Sequence, residues 1–596
     1  MEKFHFTPCI FSGEITKVTS ITPEFTTSRA GDYMEGYVID AIPYPGKIRV
    51  ILNGNREFWV KTTYPIYVIT ERPEMIMEHP SVVSHYEEEW KTLTGTTVTL
   101  HRYELMDTEA YLYISKRVKV VNQLPTLLSQ VMDRLGIQPF RKVRVEGDKI
   151  SSYDLNFQFP LVSYATVITM DWYGPSERGR MYEANINGKI ERGFLQDLDL
   201  EVDVAGCTGR ACDHVRAPVK LRLERQRSPV SLKGLIEWSM TCKTPIKELV
   251  DATIGKALTT NEAWIAFKRR IIVPEVVPRV EKLRSLDDLT LMDKGGLVIF
   301  PKVGCFDEVW QMDFSSMYPS LIVKYNISAE TVDACNDLET EIGHTICMKE
   351  KGIVPEALSW LIDRKEKLKE VDEERAEAIK WILVASFGYL GYRNSKFGKI
   401  EAYELVTYFA RRTLRRAIEI VQESGAEVLH GIIDSLVIRG DAPSLAWKIM
   451  DETGIKLRWK KFKWMILGAR RDGLPYPMRY FGLSEDGMKH KGVIRRNMPN
   501  LVKDFLQDTI SLLSRAETCN DIRGLRSNVI ETLRKYERRA LNGEPQDYVI
   551  WVKGVPYIRG IRGFYDARSG FKGRDVTYYV NYLKRTTNEV FQVVWE

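Results

Sequence analysis

One octapeptide, Asp313-Phe314-Ser315-Ser316-Met317-Tyr318-Pro319-Ser320, constrains this chain more than any other stretch. It follows Val309-Trp310-Gln311-Met312, which reads as a buried strand. It precedes Leu321-Ile322-Val323-Lys324-Tyr325, which reads as a helix after Pro319. A carboxylate at a strand end, facing a helix start, can hold a hard cation beside a phosphate. A lone Asp-x-x-Ser reads as an ordinary N-cap; the full octapeptide is far more specific.

The rest of the chain supplies the frame. With 596 residues, three to five domains of roughly 150 residues each are expected, and no internal repeat or long linker is visible. Residues 1–140 alternate short apolar segments with turns. Tyr37-Val38-Ile39, Ile48-Arg49-Val50-Ile51-Leu52 and Tyr67-Val68-Ile69 read as strands, with Pro45-Gly46 and Asn53-Gly54 as turns. Residues 150–225 are again strand-rich, with Leu161–Ile168 one candidate. From Pro245 the chain turns helical, ending near Arg269-Arg270. Residues 355–386 read as two helices with a short break at Val371-Asp372, and 427–439 as a hairpin. The region 498–540 is helical and basic, and 548–586 returns to strands.

Net charge is +6, unevenly placed: Lys456 to Glu596 holds 28 Lys+Arg against 15 Asp+Glu, a net of +13, and the preceding part carries −7. Tyr480, Tyr536, Tyr548, Tyr557 and Tyr565 are interspersed with that basic charge. Such a surface suits a polyanion, nucleic acid above all, or is a solvated helix face. No apolar run approaches the ~18 residues of a membrane span, and the residues after Met1 lack a signal-peptide core, so a cytoplasmic protein without membrane partners is expected. Eight cysteines are too sparse for a secreted disulfide scaffold. Cys207-x4-Cys212-x-His214 looks like half a metal site, with no second ligand pair after it.

The octapeptide, followed by Lys324-Tyr325-Asn326-Ile327-Ser328, resembles motif A of the family B DNA polymerases. The resemblance covers roughly residues 230–500. Leu235-Ile236-Glu237-Trp238-Ser239 and Ala252-Thr253-Ile254-Gly255-Lys256 resemble the archaeal members' lead-in to the palm. The departures resemble the degenerate archaeal B2-type paralogue. The fold this implies is a multidomain α+β right hand. It would have an N-terminal β-rich domain (1–140), a reduced exonuclease-like domain (141–235), a palm (236–350 and 396–475) split by short fingers (351–395), and a thumb (476–596).

The family's motif B corresponds to Lys380-Trp381-Ile382-Leu383-Val384-Ala385-Ser386-Phe387-Gly388. Val384 and Ala385 replace its polar Asn-Ser pair, and Phe387 replaces its tyrosine. Lys380 is expected on the triphosphate, with Arg364 as the phosphate-clamping arginine and Lys367 as its helical neighbour. Ser315, Ser316, Met317, Tyr318 and Phe387 complete the implied nucleotide site, with Tyr318 crowding a 2′-OH. Motif C reads His430-Gly431-Ile432-Ile433-Asp434-Ser435, in which Ile432 replaces the first aspartate. Asp313 and Asp434 are the implied catalytic pair, and with Phe314 they would hold two Mg²⁺ or Mn²⁺ ions. Gly391, Tyr392, Arg479, Tyr480, Lys491, Arg495 and Arg496 match DNA-contacting positions, with Met478 in place of a family lysine.

The family's proofreading exonuclease needs carboxylates that are missing here: Asp171 stands alone, with Tyr173 where a glutamate is required. The function implied is template-directed addition of dNTPs to a primer, weak, without proofreading, and suited to extension past mismatches or lesions. The implied partners are primer–template DNA, dNTPs and replication or repair proteins, with the chain acting as a monomer. The rival is a polymerase relic that binds primer–template without catalysis, favoured by Ile432, Val384, Ala385 and Met478. A reverse-transcriptase-like enzyme fits less well, because those lack this motif B. Some heat-loving archaeal members carry a palm disulfide near Cys335 and Cys347, which are either bonded so or two packed thiols.

Overall fold

A computed structural model describes residues 33–147, 149–153, 157–169, 181–470, 472–552 and 555–595. The chain divides into two compact units. One comprises Met1–Val277 with Asp363–Ala385, the other Pro278–Ile362 with Ser386–Glu596.

The first unit is rich in strands. A five-stranded sheet runs in the order Arg56–Lys61, Lys47–Leu52, Tyr33–Tyr44, Lys142–Glu146, Lys149–Tyr153, and a four-stranded sheet in the order Val82–Lys91, Thr97–Leu105, Tyr64–Ile69, Lys119–Val121. Val38, Val50, Leu52, Phe58, Tyr64, Ile66 and Tyr103 of these two sheets form one core. Both expected turns are present: Gly46 and Gly54 take φ values of 70°, where a side chain would strain the backbone. A second five-stranded sheet, Lys189–Phe194, Met181–Ile186, Tyr164–Thr169, Val204–Cys207, Val219–Arg222, ends in two parallel pairings. Helices Leu232–Cys242 and Ile254–Lys268 follow, so helical structure begins before Pro245, earlier than expected.

The second unit is organised on a seven-stranded antiparallel sheet. Its order is Val298–Ile299, Glu427–Ile432, Ser435–Arg439, Gly304–Phe314, Leu457–Ala469, Pro475–Ser484, Gly487–Lys491. Helices Met317–Lys324, Ile400–Glu423 and Ala442–Thr453 belong to this unit. The C-terminal part adds helices Asn500–Leu513, Cys519–Gly524 and Arg526–Asn542 and a three-stranded sheet spanning Ile550 to Asp566. The expected return to strands therefore stops at residue 566, and Val576–Trp595 is a helix. Its β-prone Tyr578-Tyr579-Val580 and Tyr582 favour a strand locally. Burial of Tyr579, Leu583, Val590 and Phe591 at helical spacing in a core with Leu501, Phe505 and Tyr536 decides otherwise.

The two helices expected over 355–386 are Ile353–Val371 and Glu373–Gly391, broken at Asp372. Within the first unit, the part from 363 to 385 is pinned to helix Leu232–Cys242. Trp238 Nε1–H donates to the Ala378 carbonyl at 2.8 Å, and Lys233 pairs with Asp372 at 2.7 Å.

Among the described residues three disulfides are present: Cys207–Cys212, Cys305–Cys519 and Cys335–Cys347. The first leaves no thiolate for a metal at Cys207 and Cys212, where the sequence offered half a ligand set without a second pair, because a bonded sulfur cannot act as a thiolate ligand. Asp171 and Tyr173 lie outside the described residues.

Candidate active site

Strand Gly304–Phe314 lies between Ser435–Arg439 and Leu457–Ala469, and Asp313 is at its C-terminal end, opposite Ser435. Asp434 occupies the tight turn between Glu427–Ile432 and Ser435–Arg439, the hairpin expected from the sequence. The Phe314 N–H donates to the Asp434 carbonyl at 2.8 Å, which locks the two motifs together. Ile433 in that turn has φ 56°, a strained value for a β-branched residue. Its N–H bonds the Leu297 carbonyl at 2.9 Å, and its side chain lies against Gly296.

The electrostatics tie the two carboxylates together. Asp434 is solvent-accessible yet ringed by protein, and this loss of hydration, then the charge of Asp313, raises its pKa above the ordinary aspartate value. Lys491 opposes the rise. Two neighbouring carboxylates are oxygen donors of the kind a hard divalent cation takes, so Asp313 and Asp434 could hold Mg²⁺ or Mn²⁺, with the Phe314 carbonyl as the further ligand the family resemblance implies. Ser315 Oγ is buried without a hydrogen-bond partner among the described residues. Ser316 takes a left-handed φ of 48° and starts helix Met317–Lys324, in which Met317 is buried.

Gln311 is a residue that motif reading passed over. Its Nε2–H lies 3.1 Å from Asp313 Oδ1, 3.3 Å from Ser435 Oγ and 3.1 Å from the Tyr480 hydroxyl. The signal was present, because residue i−2 on a strand shares the face of residue i. Burial, with the charges of Asp313 and Asp434 behind it, raises the Tyr480 pKa against the Gln311 hydrogen bond.

An aromatic stack stands beside the carboxylates. Tyr318 and Phe387 have ring centroids 4.4 Å apart, and Phe387 stacks on Tyr403 at 4.4 Å and 17°. Burial, then Asp434, raises the Tyr318 pKa to about 12, so it remains a neutral hydroxyl. Gly391 is required here, since a Cβ on it would come within 2.8 Å of the Tyr403 ring. Tyr392 is exposed, and its carbonyl accepts from Arg279 at 2.6 Å.

Arg364, the expected phosphate-clamping arginine, is ion-paired within the first unit. Its guanidinium bonds Glu237, whose side chain is fully buried, and Arg375 joins the same carboxylate at 2.8 Å. A buried carboxylate must be paired, and this one takes the arginine expected to meet phosphates. Lys367 lies over the Phe157 ring at 4.9 Å, and Lys380 is exposed and paired with Glu377 at 3.0 Å. Val384 is exposed too.

The basic positions divide by burial. Arg479 is held against Glu589 at 3.5 Å and over the Tyr476 ring at 4.9 Å. Lys491, Arg495 and Arg496 are exposed. Gly492, at φ 66°, admits no side chain, because a Cβ would come within 2.0 Å of the Met478 carbonyl oxygen. That glycine fixes the path between Lys491 and the arginine pair.

Residues 265–453 match the family model "DNA polymerase family B". The chain is similar to DNA polymerase 2 of Saccharolobus solfataricus, 55% identical over 94% of this chain and 88% of that one. DNA polymerase 1 of Aeropyrum pernix is 29% identical over 48% of this chain and 32% of its own length. In fold, the chain is similar to the family B DNA polymerase of Pyrobaculum calidifontis, with a TM-score of 0.67 at 16% identity, covering 94% of this chain and 99% of that one. An identity of 55% along nearly the whole of a relative, over the motif geometry described above, leaves one conclusion: the chain belongs to the family B DNA polymerases.

Proposed function

We propose that this chain extends a DNA primer on a template with dNTPs, weakly and without proofreading, and that it is suited to extension past damaged or mismatched positions. The observation that carries the reading is the meeting of Asp313 and Asp434 at the ends of adjacent strands, Asp313 opposite Ser435 and the Phe314 N–H on the Asp434 carbonyl at 2.8 Å. When bound, two Mg²⁺ or Mn²⁺ ions would lower the pKa of the primer 3′-OH and neutralise the triphosphate. Asp313, Asp434 and the Phe314 carbonyl would hold them. Gln311 orients the Asp313 carboxylate. Tyr318, pressed against Phe387, walls the sugar side, and Tyr403 backs Phe387. Exposed Lys491, Arg495 and Arg496 would meet phosphates without reading sequence, with Tyr480, Gly391 and Tyr392 beside the duplex.

Tyr173 in place of a glutamate beside Asp171 supports the absence of proofreading. The five-domain division, with the palm in two segments, is proposed with it, the fingers being the shortest part. The single chain is proposed to work as a monomer in the cytoplasm, and no helix among the described residues is long and apolar enough to cross a membrane.

Ile432 favours a second reading, a primer–template-binding relic. It is buried, pairs with Val298, and brings no carboxylate. Primer extension decides between the two. Mg²⁺-dependent extension that Asp434→Ala abolishes and Ile432→Asp increases supports the enzyme. Tight primer–template binding with no extension under Mg²⁺ or Mn²⁺ supports the relic.

A further inference from the structure

The first unit carries a second cluster with metal-ligand chemistry, remote in composition from the oxygen-only aspartate pair. Among the described residues, the ligand atoms of His85, Glu87 and His101 all lie within 4.8 Å of one another. Strand Val82–Lys91 runs antiparallel to Thr97–Leu105, with His85 opposite Tyr103 and Glu87 opposite His101. Alternation along each strand therefore gathers the two histidines and the glutamate on one face. His85 Nε2 lies 3.0 Å from His101 Nδ1, and Glu87 Oε1 lies 3.8 Å from that same Nδ1.

The rings are held in place. His85 stacks on Tyr103 at 4.7 Å and on His101 at 5.2 Å, and His101 is buried. Glu87 is exposed and can swing. In a tetrahedral site with bonds of about 2.0–2.1 Å, donor atoms stand roughly 3.3 Å apart. The spacings of 3.0 and 3.8 Å bracket that value.

We propose that His85, Glu87 and His101 form a binding site for a borderline transition-metal ion, Zn²⁺ foremost, with a fourth position left to water. Two imidazoles and a carboxylate select such an ion over Mg²⁺, which prefers oxygen ligands. The single proton in the His85···His101 hydrogen bond must leave the space between the nitrogens. It moves to the outer nitrogen of its own ring, so both facing lone pairs become free. The bound ion would fasten the two strands at this register.

The test uses the full chain, stripped with a chelator and kept in saturating Mg²⁺ so that the aspartate pair is occupied. Zn²⁺ is titrated by calorimetry and Co²⁺ by its visible absorption. The expected result is one ion per chain, a Co²⁺ spectrum of tetrahedral intensity, and a melting temperature raised by Zn²⁺. His85→Ala should weaken Zn²⁺ binding at least ~10-fold and remove the thermal shift. Melting of the metal-free proteins checks the fold. Should His85→Ala unfold, Glu87→Gln, at an exposed position, carries the test with a smaller loss of affinity. No saturable Zn²⁺ binding, or binding that Asp313→Asn removes and His85→Ala and Glu87→Gln leave unchanged, overturns the site.

Discussion

Gln311 serves three partners with one amide: the Asp313 carboxylate, the Ser435 hydroxyl and the Tyr480 hydroxyl. A carboxylate that must hold a cation loses affinity when it can rotate, and outer partners of metal ligands typically account for 10–100-fold. Gln311→Leu is therefore expected to slow single-nucleotide incorporation about tenfold and to raise the Mg²⁺ concentration needed for half-maximal rate. A rate unchanged at all Mg²⁺ concentrations would count against a positioning role. The same scale shows what motif reading misses. Asp313, Tyr318 and Asp434 announce themselves through their neighbours in sequence. Gln311 shares a strand face with Asp313, but its bonds to Ser435 and Tyr480, like the stacking of Tyr403 on Phe387, join residues distant in the chain and belong to no motif.

At the scale of elements, two buried ionic groups fix helices in place. In the first unit, Glu237 on Leu232–Cys242 is clamped by Arg364 and Arg375. Removing a partner from a buried ion group leaves uncompensated charge and costs about 3–5 kcal/mol. Glu237→Ala should lower the unfolding free energy by that order in guanidinium titrations, while the exposed-pair variant Glu377→Ala should change it little. In the second unit, His344 bridges Asp333 at 3.0 Å and Glu404 at 2.9 Å, and Arg284 also pairs with Glu404. Burial works against the charged His344, but the Glu404 hydrogen bond and the charges of Asp333 and Glu404 outweigh it, so its pKa is raised from 6.5. Burial likewise opposes charge on Glu404, yet His344 and Arg284 lower it from 4.5. The histidine's contribution is fully present below 6.5 and lost as pH rises through its raised folded value. The glutamate's is present above 4.5 and lost as pH falls through its lowered one. The melting gap between wild type and His344→Gln should therefore be widest between those two values and narrow toward alkaline pH. A gap independent of pH would contradict the pairing.

At the scale of the whole molecule, Cys305–Cys519 joins strand Gly304–Phe314 to helix Cys519–Gly524 across 214 residues, whereas Cys335–Cys347 spans 12. In the chain-entropy model the long closure stabilises by about 5 kcal/mol and the short one by roughly 3. Cys519→Ser should lower the non-reducing melting temperature more than Cys347→Ser does, and a reductant should erase the difference. The reverse order would show that the long loop retains structure when unfolded. Local chemistry alone settled much of this protein. The break at Asp372, the glycine turns at 46 and 54, the hairpin carrying Asp434, and the strand-to-helix passage through Asp313 each depend on residues within a few positions, and each was legible in the sequence. Tertiary structure decided the rest. It turned Val576–Trp595 from strand-prone to helical because a core awaited one face of it, drew Arg364 to a buried glutamate, joined Cys305 to Cys519, and set His85 against His101. These outcomes depend on which distant groups are brought together out of water, where an unpaired charge or an unfilled core costs more than any local preference supplies.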